Sequence, residues 1–264
     1  MQTFLALIKR EILEHNSLWR VPIILLGLAI LVRLSLVFGN FATDIKIPDQ
    51  LQLDDTIDSI VGSALAQGLS WMNSIIVLTM FIVAVFYSLN CLFTERQDQS
   101  VLFWRSLPVS DSLTVASKLT IALVVVPIAM IVCQSLSAFI FLGIDGFSFL
   151  FNYFGSSLIS LLYLVLWSLL PTVAWCMFCS EFAKRNPFLL AVFVPIGVVI
   201  VDRLFFDGVV SDLLVINRTL WFSDYSLWPL VSGLALSATF IVLATMKRRQ
   251  RICLLYTSPS PRDS

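Results

Sequence analysis

The sequence predicts an all-α, polytopic membrane protein with six transmembrane helices, an interfacial amphipathic helix ahead of the first span and both termini in the cytoplasm. Three observations carry this. The 264 residues are 58% hydrophobic and only 13% charged, with a mean hydropathy of +0.92, whereas soluble domains run at about 45–50% apolar and about 25% charged. Six apolar stretches reach the roughly 20 residues that cross a bilayer as a helix, at about 21–39, 71–93, 119–143, 156–179, 187–206 and 227–246. The basic residues then sort by side: Lys9, Arg10, Arg20, Arg96, Arg105, Lys118, Lys184, Arg185, Lys247, Arg248, Arg249 and Arg251 fall on one side, only Lys46, Arg203 and Arg218 on the other. Cytoplasmic loops hold such an excess, which places both termini inside. Residues 1–252 make one membrane domain, with no room for a second soluble domain of ordinary size. A formal net charge of zero gives no reason to expect nucleic acid.

Along the chain, Phe4, Leu5, Leu7, Ile8, Ile12 and Leu13 recur with helical spacing, while Lys9, Arg10, Glu11 and Glu14 fill other positions. This reads as an amphipathic helix in the cytoplasmic interface that ends near Pro22, or as a plain cytoplasmic leader. It is no signal peptide, lacking a basic start and a small-residue cleavage site. Within the first span stands Arg33, which costs on the order of 2.5–3.5 kcal/mol at bilayer centre. It either snorkels or pairs internally, or it lines a substrate path. On the outer side, 40–70 is acidic, and Leu51, Leu53, Ile57, Ile60, Val61 and Leu65 predict a short helix on the membrane surface. The other outer segment, "DGVVSDLLVINRTLWFSDYS", reads as an aromatic-anchored cap, with an extracellular gate as the alternative.

The spans hold few polar groups. Asn73, Asn90 and Gln134, with Ser135 and Ser137, either bond neighbouring helices or line a substrate path. Cys91, Cys133, Cys176 and Cys179 read as small buried hydrophobes, and the Cys176–Cys179 pair has no further ligands, His15 being the only histidine. No metal site is expected. The sequence contains no G-x-x-x-x-G-K-[ST], no H-E-x-x-H and no G-x-S-x-G, which removes an ATP-cradling loop and the common hydrolase sites. The chain is not expected to be an enzyme. "CLLYTSPSPRD", Cys253 to Asp263, is the residue-for-residue translation of a transposase sequencing adapter. The tail 253–264 is therefore expected to be artefactual and is excluded from fold reasoning.

The polar stretch "TERQDQSVLFWRSLPVSDSLTVASK", 94–118, stands between the second and third spans. Thr94 to Ser106 can continue the second helix, Pro108 stops it, and Ser110 or Asp111 can cap the next, which runs through Lys118 into the third span. The result is a bent knob carrying Leu102, Phe103 and Trp104, which either meets a partner or lies on the membrane as an aromatic belt.

This stretch resembles the loop after the second span in permease subunits of the type-two (ABC-2 type) ATP-binding-cassette exporters. There a Glu-Arg pair ends the second helix, a Leu-x-x-x-x-Leu-Pro-Val-Ser run follows and a Lys opens the third. Glu95, Arg96, Leu102, Leu107, Pro108, Val109, Ser110 and Lys118 match, while the usual Gly-Thr after the pair is replaced by nearby Gln99-Ser100. With the six-span layout, the resemblance covers Met1 to Arg251. It implies an exporter-like permease of a bacterial inner membrane whose 94–118 loop couples to a separate ATPase. Glu95 and Arg96 would hold the base of the loop, and Phe103, Trp104, Leu107, Pro108 and Val109 would touch the ATPase. Two ATPase copies, which bind the ATP and Mg, and a second permease chain, identical or not, would complete the transporter. This chain itself would bind no cofactor. The alternative is a non-transporting membrane scaffold or sensor that recruits a cytosolic partner through the same loop.

Overall fold

The computed structural model of the chain describes residues 2–38, 54–97, 110–142, 155, 158–207 and 227–256. All of the secondary structure it describes is helical. In order these are α1 (Gln2–Glu14), α2 (Ser17–Phe38), α3 (Asp54–Asn90), α4 (Phe93–Gln97), α5 (Asp111–Thr120), a π-helical turn (Ile121–Val125), α6 (Val126–Leu142), a second π-helical turn (Leu164–Leu169), α7 (Leu170–Phe182), α8 (Pro187–Phe205) and α9 (Leu227–Tyr256). Six helical stretches are long and apolar enough to cross a membrane: Ser17–Ser35, Gln67–Gln97, Asp111–Phe141, Leu158–Phe182, Pro187–Phe205 and Leu230–Arg249. Each corresponds to one expected span, and the chain is a multi-pass membrane protein.

Three boundaries differ from expectation. The break after α1 falls at His15–Asn16 rather than at Pro22, because the Asn16 carbonyl already accepts the Arg20 N–H at 3.0 Å and starts the next helix. Pro22 then sits inside α2 and costs it one hydrogen bond. The outer surface helix is not separate. Ile57, Ile60, Val61 and Leu65 belong to α3, a single 37-residue helix with no proline to interrupt it. Conversely the second span does not continue smoothly into the following loop. A turn at Cys91–Leu92 ends α3, and the first N–H of α4, from Phe93, is satisfied by Ser180 Oγ at 2.9 Å. The expected outer cap at 208–226 lies outside the described residues, as does the stretch 98–109.

The chain forms two compact units. One gathers Asn16–Val83 and Pro127–Ile159. Its core packs Ala29, Leu69, Met72, Ala138 and Phe141, and the alanines let helices approach closely where lipid supplies no hydrophobic drive. The other gathers Met1–His15, Ala84–Val126 and Ser160–Ser264. There α9 and α8 pack along α7. Phe240 meets Trp175 and Phe178, and Trp175 Nε1 donates to the Ala191 carbonyl at 3.1 Å. Cys176 and Cys179 join Leu89 in this apolar core. Buried hydroxyls bond back along their own helices, Ser88 to Ala84 and Ser237 to Gly233.

Candidate functional site

In the second unit, α1 lies against α5, and α9 also reaches α5. What these contacts bury is charge. Lys118, 1% exposed, places its Nζ 2.6 Å from Glu11 Oε1 and 3.1 Å from Glu95 Oε1. Glu95 in turn accepts from both terminal nitrogens of Arg248 on its Oε2, each at 3.2 Å. Arg248 also donates from Nε to Asp111 Oδ1 at 3.3 Å. Arg10 flanks the chain, 3.2 Å from Glu14 and 3.8 Å from Glu95. Signs alternate from Glu11 through Lys118, Glu95 and Arg248 to Asp111, so each buried charge has an opposite neighbour on another element. That compensation is what permits ions so far out of water.

The local sequence explains why each group arrives there. Ser110, extended at φ −73°, caps α5 by accepting the Leu113 N–H, which fixes the direction of the helix that carries Asp111 and Lys118. Glu95 lies on the short helix α4, which the turn at Cys91–Leu92 separates from α3. Glu11 is 2% exposed, while Leu5 and Leu13 on the same helix are 63% and 68% exposed. α1 therefore docks on a face that sets buried Glu11 among half-buried Phe4, Leu7, Ile8 and Ile12, and its outward positions mix Leu5 and Leu13 with Lys9 and Glu14.

Around this chain, Tyr87 donates its hydroxyl to Glu11 Oε2 at 3.3 Å. The His15 ring stands edge-on to Tyr87, 4.9 Å between centroids, with Nε2 3.6 Å from the same Glu11 oxygen. Burial holds the His15 pKa below its ordinary 6.5; Glu11, Glu14 and Glu95 pull it upward, and Lys118 adds to the lowering. At neutral pH His15 is thus an uncharged neighbour of the carboxylate.

Arg96, next to Glu95, takes other partners. Its guanidinium donates to the carbonyl of Glu181 at 2.5 Å and to that of Ala183. These are orphan carbonyls at the C-terminal end of α7, where a cation also meets the negative end of the helix dipole. Glu95 and Arg96 together fasten α4 to α1, α5, α9 and α7.

Arg248 spans the stretch 98–109. One carboxylate it binds, Glu95, precedes that stretch, and the other, Asp111, follows it. The expected loop residues Leu102, Phe103, Trp104, Leu107, Pro108 and Val109 lie outside the described residues. Of the expected path residues, Arg33 is half-buried in α2, Asn73 has a buried Oδ1 with no hydrogen-bond partner among the described residues, Gln134 is buried in α6, and Asn90 is exposed at the end of α3. Sequence reasoning singled out Glu95, Arg96, Ser110 and Lys118 but not Glu11, Asp111 as an ion partner, or Arg248. No family model, no curated protein and no solved structure matches the chain.

Proposed function

We propose that this chain is the permease subunit of an ABC-2 type transporter, moving cargo outward across a bacterial inner membrane on energy from a separate ATPase docked on the 94–118 loop. The observation that carries this reading is the double hold of Arg248 on Glu95 and Asp111, which ties together the two ends of the stretch 98–109. A loop that passes force from a soluble motor into membrane helices needs a base that does not yield. Here the base is held by ion pairs shielded from water, and each additional contact on Arg96 stiffens it. Both members of the Glu-Arg pair that marks the resemblance engage in such contacts, which supports assigning the same role to the pair. The excess of Lys and Arg on this side supports its placement in the cytoplasm. With no phosphate-cradling loop in the chain, ATP and Mg belong to the partner. Two ATPase copies and a second permease chain, identical or not, complete the assembly.

The test is co-expression with an adjacent-gene ATPase that carries a P-loop, followed by reconstitution into vesicles. Trp104→Ala combined with Leu107→Glu is expected to weaken capture of the ATPase at least about 30-fold, the equivalent of one lost interface anchor of about 2 kcal/mol. Unaltered capture would overturn the docking assignment. Capture without ATP-driven movement of cargo would identify a scaffold instead.

A further inference from the structure

Two of the spans carry the same irregularity. In the third, the π-helical turn Ile121–Val125 ends with the Val126 N–H donating to the Ile121 carbonyl, and Pro127 follows at once. In the fourth, the π-helical turn Leu164–Leu169 ends with the Leu170 N–H donating to the Val165 carbonyl, and Pro171 follows at once. The offset between turn and proline is the same in both. Its physical cause is shared as well. A proline ring collides with the carbonyl four residues back and offers it no N–H. Widening the preceding turn carries the Leu123 and Trp167 carbonyls clear, but those turns then have fewer ties across them than a regular helix. Proline alone does not produce this, since Pro22 and Pro195 sit in α2 and α8 with no π turn.

The placement of the two turns is also matched. Lys118, which binds Glu95, lies about 14 Å along the helix from Pro127, and Glu181, whose carbonyl binds Arg96, lies about 15 Å from Pro171, at 1.5 Å per residue. α4 is therefore gripped by two helices, and each has its weak turn at a similar distance from the grip.

We infer that these π–proline turns are a pair of hinges, at which the segments of the third and fourth spans that hold Glu95 and Arg96 bend and reorient α4 with them. A bend of about 20°, typical of a kinked helix, moves the end of such an arm by about 5 Å. The bending itself does not depend on the permease reading, whereas its use in transport does.

Pulsed electron–electron double resonance on the full chain in lipid nanodiscs tests this. Spin labels go on Ala116→Cys with Leu136→Cys across the first turn, and on Leu162→Cys with Lys184→Cys across the second, all exposed positions. The native thiols Cys91, Cys133, Cys176 and Cys179 are buried and free, and Cys253→Ser removes the remaining one. The expected result is a broad or two-peaked distance distribution for each pair, spread over about 2 Å because a bend of about 20° carries the arm mostly sideways to the line between the labels, that narrows to one peak in Pro127→Ala and Pro171→Ala respectively. Single narrow peaks, unchanged by either substitution, would overturn the hinge. A second measurement adds the ATPase and nucleotide. A nucleotide-dependent shift between the two peaks extends the hinge to transport, and a two-peaked distribution indifferent to nucleotide keeps the hinge and rejects its coupling to the ATPase.

Discussion

Lys118 meets two carboxylates on two other elements, and its own burial leaves it no water to fall back on. Removing it leaves Glu11 beside only the uncharged Tyr87 and His15 and takes one cation from Glu95, and an uncompensated buried charge costs about 3–5 kcal/mol. Lys118→Met should therefore lower the thermal midpoint more than Glu11→Gln, which leaves Lys118 its contact with Glu95. The Glu11→Gln/Lys118→Met double variant should be less destabilised than the sum of the two. Thermal melts in detergent check this order, and equal, small losses would show the pair to be unimportant. His15 makes a separate prediction. Its folded pKa lies below the unfolded value of 6.5, so the unfolded chain takes up the proton first on acidification, and its contribution, intact above pH 6.5, is lost as pH falls through the folded pKa. The stability advantage of the wild type over His15→Gln should shrink from pH 7 to pH 5, with Glu11, Glu14, Glu95 and Lys118 common to both proteins. A constant difference would mean His15 does not titrate in that range. The pairing of Lys118 with Glu11 and the setting of His15 were not legible in the sequence. Glu11 sits among Lys9, Arg10 and Glu14 as any solvated helix edge would, and its partner is 107 positions away. Arg248 registered only as a marker of sidedness, because periodicity and charge counting locate a charge without naming its counter-ion.

The elements were read well where length alone decides. An apolar run of some 20 residues has few alternatives to a spanning helix, and all six runs became helices of that kind. Junctions were read less well, because they are decided by competition for hydrogen bonds. Asn16 begins α2 before the proline can end α1, and Ser180 supplies the acceptor that lets α4 start after a turn instead of prolonging α3. Ser110 was legible as a cap because its signal is local, a hydroxyl three residues ahead of the amide it receives. The π turns had a partial signal in Val126-Pro127 and Leu170-Pro171, but Pro22 and Pro195 carry the same chemistry without the same turn. Proline shows where a helix has a problem, and the packing around it decides how the helix solves it. α1 was anticipated as amphipathic, yet its orientation could not be. Its docked face sets a buried carboxylate among half-buried apolar side chains, and the counter-ion that permits this burial lies 107 positions away.

At the scale of the whole chain, the charge network joins residues from both ends. Arg10 and Glu11 come from α1, His15 from the break that follows it, and Arg248 from α9. Between them the chain leaves this unit twice, at 16–83 and at 127–159. The network therefore stays incomplete during synthesis until the last span has emerged, and until then Glu95 and Asp111 lack the guanidinium that bridges them. A stop codon after Met246 removes Arg248 and should leave Glu95 and Asp111 short of a partner, with loss of several kcal/mol and a chain that elutes as aggregate. A stop after Ile252 keeps Arg248 and should match the 264-residue chain in elution volume and in thermal midpoint. Arg248→Lys separates charge from geometry. A single ammonium keeps the charge but cannot present the fork that reaches Glu95 and Asp111 together, so its midpoint should fall between those of the two truncations. If the chain stopped after Met246 folded as well as the other, the ends of the stretch 98–109 would be held by Lys118 and Arg96 alone. The bridging role assigned to Arg248 would then fail, together with the support it lends to a force-bearing loop.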